Sequence, residues 1–405
     1  MAVKRRTVAE SDWGEDPLAY LIAPTTTEEF FASIYERSDL TCLRESPERF
    51  SALLSIHKLD SLLSSKEFPS TSLSMARSDP PIAKSFYTFK NGSIDKGAVL
   101  NHYQSGATLI FNQLHRNDAE LARFCRALES IFSLRVQANV YLTPPESQGF
   151  GTHYDDHDVF ILQISGSKRW RFFQKPIENP YKGEKFQHGL HKPSNESREC
   201  ILSAGDCIYI PRGLMHEAEN YGDQPSLHVT VGLLSKTWAD LMLEAMSEVA
   251  LRNSEFRKSL PPGFTREDFE TNDAEQMFRN LVAKFKDEAD FGKVFDLFRE
   301  SFGRSTSIDI SGGLALASAE ISNTDKFILK ANPPAIIKTQ EERVVVVCPG
   351  GDVHFDSALR DCLKIALSGD PFSVSDLRAD NTAEATRFIR KLISFGLVRG
   401  VNEKI

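Results

Sequence analysis

His153 and Asp155 stand two residues apart in the run Gly149 to Asp158. On an extended chain residues i and i+2 point to the same side. The pair can therefore offer an imidazole and a carboxylate to one metal ion. Sixty-three residues further on, Pro211-Arg212-Gly213-Leu214-Met215-His216 follows a strand and a turn and supplies a second imidazole. Two histidines and one carboxylate form the facial donor set of non-haem Fe(II) oxygenases. That set leaves one octahedral face open, with room for a bidentate 2-oxo acid and for O2. A bare His-x-Asp pair is weak evidence, since most such pairs are surface accidents or hydrogen-bonded histidines. Two nearby features strengthen it. The pair precedes a strong strand pattern, and Gly205-Asp206-Cys207-Ile208-Tyr209-Ile210-Pro211 is a turn and strand that returns His216 to the same mouth.

Lys168 adds a third feature. It lies in Gly166-Ser167-Lys168-Arg169-Trp170. If the intervening turn folds back as a hairpin, Lys168 points into the pocket. A buried ammonium needs an anionic partner, and the distal carboxylate of 2-oxoglutarate would supply one. The plainer alternative is a surface cation snorkelling beside Trp170. Arg169 and Arg171 have the opposite parity and belong on the outside. Asp156, His157, Asp158 and His228 are rival ligands. His157 shares the parity of His153 but sits two residues deeper, and His216 is preferred to His228 because its turn resembles a pocket rim.

These residues need a scaffold of short strands. Val136 to Leu142, Val159 to Ile164, Lys168 to Phe173, Cys200 to Leu202, Cys207 to Ile210 and Leu227 to Leu233 all carry strand signals, broken by Gly, Pro and Asp. That texture predicts an antiparallel barrel or double-sheet jelly roll. Ahead of it, Ala107 to Phe111 reads as a strand and Asp118 to Phe132 as a helix. Residues 60–100 look loop-heavy. Residues 236–304 turn helical, with Thr237 and Asp240 placed as a capping box. The last 70 residues read as a strand at Arg343 to Val347, a helix at Ser357 to Leu367, and a second helix capped by Asn381 and Glu384. Leu397-Val398 then begins a closing strand, in a pattern that resembles a winged helix.

The chain has 405 residues, 41% apolar and 26% charged. This balance excludes a wholly disordered chain, a collagen-like fibre and a membrane bundle. The basic opening MAVKRRTVAESDW has no apolar run behind it and does not read as a secretory signal. Six scattered cysteines without a Cys-x-x-Cys pair point to reduced thiols and a cytoplasmic setting. The net charge of −8 argues against a protein built to grip phosphate backbones and agrees with a basic partner. Residues 370–405 hold six Lys/Arg against five Asp/Glu, so direct nucleic-acid binding by the winged-helix-like end is not expected.

The run NVYLTPPESQGF (139–150), continuing into HYDDHDVFILQISGSKRWRFF, resembles the cupin-like JmjC ribosomal oxygenases. AGDCIYIPRGLMHEAEN (204–220) and LHVTVGL (227–233) fit the same family. The resemblance is dense over 105–235 and closest to the branch that hydroxylates a histidine of ribosomal proteins. It implies an α+β chain with a JmjC/cupin-like domain of double-stranded β-helix fold and an N-terminal extension at 1–235, a helical insert at 236–330, and a winged-helix domain at 331–405; the apolar face of the insert either packs on its own barrel, the plainer reading, or forms a dimer surface. It further implies Fe(II), 2-oxoglutarate and O2 as cofactor and cosubstrates, with His153, Asp155 and His216 as iron ligands. Lys168 takes the position of the 2-oxoglutarate lysine. Thr143 matches a hydroxyl helper, and Asn139 and Tyr141 match positions near cofactor and peptide. Thr152 departs from the proline often found before the His-x-Asp pair.

The expected activity is hydroxylation of a histidine or arginine side chain in a basic protein, most naturally a ribosomal protein. Methyl-lysine demethylation, peptide tailoring and non-enzymatic metal binding are the alternatives.

Overall fold

The computed structural model describes residues 13–14, 16–330, 335–339, 343–377 and 382–401. The basic opening and the expected cap at Asn381 lie outside the described residues. Two compact units divide at Ser235 and Lys236.

The first unit is built on two antiparallel sheets. Its strands are β1 (Leu40–Cys42), β2 (Leu73–Ala76), β3 (Thr108–Phe111), β4 (Arg135–Thr143), β5 (Asp158–Ser165), β6 (Ser167–Phe172), β7 (Arg198–Ser203), β8 (Cys207–Ile210), β9 (His216–Asn220) and β10 (Ser226–Leu234). Seven of them form the large sheet in the order β1-β8-β5-β10-β4-β3-β2, and the other three form a small sheet, β7-β6-β9. In the sequence β9 was read only as the end of a turn. Its Glu217 and Glu219 give little apolar pattern, and pairing with β6 is what holds it extended.

Burial follows position in the sheets. β5 and β10 are central and buried along nearly their whole length, as strands covered on both faces must be. β6 alternates, with Lys168, Trp170 and Phe172 buried and Ser167, Arg169 and Arg171 partly exposed. Between the sheets lie Val159, Ile161, Trp170, Phe172, Leu202, Ile208 and Ile210. The opposite face of the large sheet carries Val140, Phe160, Leu162, Tyr209 and Val229 and packs on N-terminal elements. There Phe30 is fully buried against Phe160 and Tyr209. Each such aromatic contributes about 1.5–3 kcal/mol by leaving water. The helix Ala119–Phe132 starts where the Asp118 carboxylate accepts the Leu121 N–H at 3.0 Å. The segment expected to be loop-heavy also holds the helices Ile56–Ser65 and Lys96–Gln104 and the strand β2.

The second unit begins with the helices Trp238–Arg252, Asn272–Glu288 and Phe291–Ser305. The capping box of Thr237 and Asp240 is formed, with the Thr237 N–H donating to the Asp240 carboxylate at 2.8 Å. Two three-stranded sheets follow. One joins β12 (Ile336–Thr339), β13 (Arg343–Cys348) and β14 (Gly351–Asp356). The other joins β11 (Lys326–Leu329), β15 (Phe372–Ser373) and β16 (Val398–Gly400). The sequence had predicted only β13 and β16. The helices Arg360–Ala366 and Thr382–Ser394 pack Leu363, Phe388, Ile389 and Leu392 into the core of this unit. Among the described residues no helix is long and apolar enough to cross a membrane.

Candidate functional site

His153 lies outside the named strands, on the segment leading into β5, and His216 opens β9. A two-residue antiparallel bridge joins them. The His153 N–H donates to the His216 carbonyl at 3.0 Å, and the His216 N–H donates to the His153 carbonyl at 2.7 Å. Directly opposed residues of such a pair face the same side. This bridge brings two imidazoles from distant parts of the chain to ring centroids 4.7 Å apart. The Asp155 carbonyl accepts the Gly213 N–H at 3.0 Å, which ties the acid to the turn preceding His216. Donor atoms of His153, Asp155 and His216 all lie within 4.8 Å of one another.

Both imidazoles are oriented for ligation. Nδ1 of His153 lies 2.9 Å from the Gly151 carbonyl, and Nδ1 of His216 lies 2.9 Å from the Leu214 carbonyl. A carbonyl can only accept, so Nδ1 donates in each ring, and Nε2 is the nitrogen left to ligate. Burial, and then the nearby His153, push His216 well below its ordinary value, so it stays neutral and able to ligate.

Supporting residues hold these segments in place. Thr152, where related chains often have proline, donates to Glu217 at 2.6 Å and so fastens the two ligand-bearing segments. Gly213 has φ +83°, and a Cβ there would run into the Ile177 carbonyl oxygen, so the turn before His216 requires glycine. Asp158, weighed in the sequence as a rival ligand, is fully buried and committed elsewhere. It accepts from Arg212 at 2.6 Å and from the Tyr209 hydroxyl at 2.8 Å. Arg212 also pairs with Glu36 at 2.8 Å. Among the described residues, Asp156 and His157 do not join the triad. They hydrogen-bond to each other at 3.1 Å, and the His157 ring lies against Gly232.

Next to the triad, a wall of polar and aromatic side chains lies between the two sheets. Lys168 is buried, as its parity required, and has no carboxylate within ion-pair distance among the described residues. Burial pushes its amine down to about 7. Its Nζ lies 3.3 Å from His228 Nδ1. His228 stacks on Tyr141, with centroids 4.8 Å apart and an interplanar angle of 3°. Trp170 links the two ends of this wall, 5.9 Å from His216 and 5.8 Å from His228. Trp170 Nε1 and Asn220 Oδ1 are buried without hydrogen-bond partners among the described residues. Thr143 is fully buried, with its hydroxyl 3.1 Å from that of Thr108. The Asn139 amide oxygen accepts the Gln113 N–H at 2.9 Å.

Trp170 and Asn220 did not enter the sequence reading as pocket residues. Parity could have found both, since each lies an even number of residues from a residue already aimed inward.

A double-sheet β-roll whose mouth carries two oriented imidazoles and a carboxylate is the architecture of the cupin-type metal-site proteins. Residues 110–241 match the JmjC domain family. The bifunctional lysine-specific demethylase and histidyl-hydroxylase NO66 of Drosophila pseudoobscura pseudoobscura is 33% identical over 256 residues, covering 61% of this chain and 26% of that protein. The protein of the same name from Aedes aegypti is 24% identical over 432 residues, covering 95% and 67%. The solved structure of YcfD, a ribosomal oxygenase from Escherichia coli in complex with cobalt and succinic acid, matches with a TM-score of 0.53 over 93% of this chain and 98% of that one. At 15% identity this last likeness is one of fold. Residues 110–241 thus carry a JmjC domain, and the chain is similar to these relatives over that region and its flanks. Its match spans only 26% to 39% of the length of the first four Drosophila relatives.

Proposed function

We propose that the protein is an Fe(II)- and 2-oxoglutarate-dependent oxygenase that hydroxylates a side chain of a basic protein. The observation that carries this reading is the triad itself, two imidazoles whose Nδ1 atoms face carbonyls and one carboxylate at the mouth of the roll. The donor set suits Fe(II) with open coordination positions. The pocket suits the cosubstrate. Among the described residues, Lys168 is a buried amine without a carboxylate partner, and Trp170 Nε1 is a buried donor without an acceptor.

In this reading His153, Asp155 and His216 hold the metal, and Lys168 anchors the far carboxylate of 2-oxoglutarate. Tyr141, Asn139 and Thr143 shape the wall beside it. When bound, iron and 2-oxoglutarate supply O2 activation and the oxidising power for an unactivated C–H bond. The chain's own residues orient the reactants and keep water out. The Nδ1–H bonds to Gly151 and Leu214 hold both rings in one tautomer. Further along the same face of the large sheet, Val159, Ile161, Ile208 and Ile210 form an apolar cluster that excludes water.

A ribosomal protein is the substrate we favour, modified at histidine or arginine. The relatives named for histidyl hydroxylation and the charge of −8 support this. Lysine demethylation is the second reading, favoured by the other half of those relatives' name. We further read the exposed Trp238, Met242, Leu243 and Met246, with Phe278 and Val282, as a homodimer surface of the helical segment. The sheet β15-β11-β16 with its two helices supports a winged-helix end, and the near-balance of charge over 370–405 speaks against nucleic-acid binding by it. We place the protein in the cytoplasm.

The test is direct. Anaerobic addition of Fe(II) and 2-oxoglutarate should give a charge-transfer band, and O2 should then give succinate. Peptide mapping of ribosomal proteins from cells with and without the protein should show a gain of one oxygen. Formaldehyde release in place of a stable hydroxyl would favour demethylation, and absence of both band and succinate would sink the oxygenase.

A further inference from the structure

We infer that His228 is a positioning residue: as an uncharged hydrogen-bond acceptor it aims the Lys168 ammonium that receives the cosubstrate's far carboxylate. The inference rests on the reading of Lys168 given above and adds a residue that was weighed in the sequence only as a rival metal ligand.

The only hydrogen-bond partner of Lys168 Nζ among the described residues is His228 Nδ1, at 3.3 Å. An ammonium can only donate. Below about pH 7, where Lys168 keeps its proton, Nδ1 therefore carries the lone pair and the proton of the neutral ring sits on Nε2. This is the opposite tautomer from His153 and His216, where Nδ1 donates to a carbonyl. The fold reserves two imidazoles for a metal and a third for a cation.

The ring of His228 is fixed in its plane. It stacks on Tyr141 at 4.8 Å and 3°, and meets Trp170 edge-on at 5.8 Å and 79°. Its backbone sits in the central strand β10, opposite Tyr141 of β4 and Gln163 of β5. A β-bulge between Leu227 and His228 sets its register on the β5 side. His228 and Lys168 are both almost wholly buried. A flexible lysine would otherwise lose rotamer freedom when an anion binds. Held beforehand by His228, it loses less, and two of its three N–H groups remain for the carboxylate. A neutral acceptor suits this task better than an acid. An aspartate at this place would satisfy the cation outright and compete with the incoming carboxylate.

Two variants separate this role from simple packing. His228→Phe keeps an aromatic ring on Tyr141 and removes the acceptor. His228→Asn loses much of the ring and offers an amide oxygen near the Nδ1 position. Calorimetric titration of the Mn(II)-loaded protein with 2-oxoglutarate should show His228→Phe weakened about tenfold or more, the scale of a lost hydrogen bond to a charged group. His228→Asn should stay within about threefold of wild type. Under turnover the loss should fall on KM for 2-oxoglutarate, with kcat within about twofold. Mn(II) stoichiometry checks that both variants fold. Unchanged affinity in His228→Phe, or a loss in His228→Asn as large as in His228→Phe, overturns the inference. Imidazole 15N shifts of the ligand-free protein, recorded below about pH 7 so that Lys168 is protonated, give a readout independent of the cosubstrate. They should report the Nε2–H tautomer, and a proton on Nδ1 overturns the assignment. A wild type that binds no 2-oxoglutarate would instead sink the oxygenase reading, while the 15N shifts would still decide how His228 meets Lys168.

Discussion

The small sheet has two faces, and the same strands treat charge differently on each. On the outer face Arg169 and Arg171 of β6 meet Glu199 of β7 and Glu217 and Glu219 of β9 at 3.1–3.2 Å. Each pair is partly exposed and worth about 0–1 kcal/mol. On the inner face the same β6 carries Lys168, buried and without a carboxylate, and the same β9 carries His216. Outer charges are already satisfied, and removing one costs little. Inner polar groups are left incomplete, so what they lack identifies what the pocket takes.

The largest contrast should come from neighbours on β9. His216→Ala should reduce succinate formation to background with the fold retained, judged by near-UV circular dichroism. Glu217→Gln, one residue on and facing out, should keep turnover within about threefold. Comparable losses in the two variants would break the comparison.

On β6 the matched pair is Lys168→Ala and Arg171→Ala. Loss of the buried ammonium should raise the 2-oxoglutarate requirement by about tenfold or more, since charged hydrogen bonds are worth about 1.5–3 kcal/mol. Arg171→Ala should leave that requirement unchanged.

A pH series sharpens the same point. With its amine pushed down to about 7, Lys168 loses its proton as pH rises through that value. Only the ammonium attracts a dicarboxylate, so binding above neutrality must take up a proton. Affinity for 2-oxoglutarate should therefore fall on the alkaline side, at most tenfold per pH unit. The titration of Lys168→Ala should lack that step.

The smallest effect is one of stability. In the unfolded chain Lys168 keeps its proton to about pH 10.4. Between that pH and about 7 the unfolded state binds more protons, and ligand-free stability attributable to this residue rises with pH. Lys168→Met should remove this dependence. It should also leave Tm equal to or a few degrees above wild type, because a buried unpaired cation is replaced by an apolar chain. Arg171→Ala should lower Tm by no more than a few degrees.

Much of the site was legible from local pattern. The spacing of His153 and Asp155, the inward parity of Lys168 and the outward parity of Arg169 and Arg171 all follow from the two-residue repeat of a strand. The strand β9 was less legible, because its acidic outer residues hide its period. Asp158 could not be separated from Asp155 by composition. Its commitment to Arg212 depends on a partner 54 residues away. His228 was visible as a histidine, but its role depends on lying beside Tyr141 and meeting Lys168 across two sheets.

By itself, the order of residues determined which side chains share a face, because backbone sterics alternate Cβ directions along any extended chain. Only the tertiary structure decided which faces meet and which ring nitrogen is left free. Those outcomes depend on nonlocal pairing. The His153–His216 bridge and the Lys168–His228 approach join segments about 60 residues apart, where side-chain alternation along one strand carries no information.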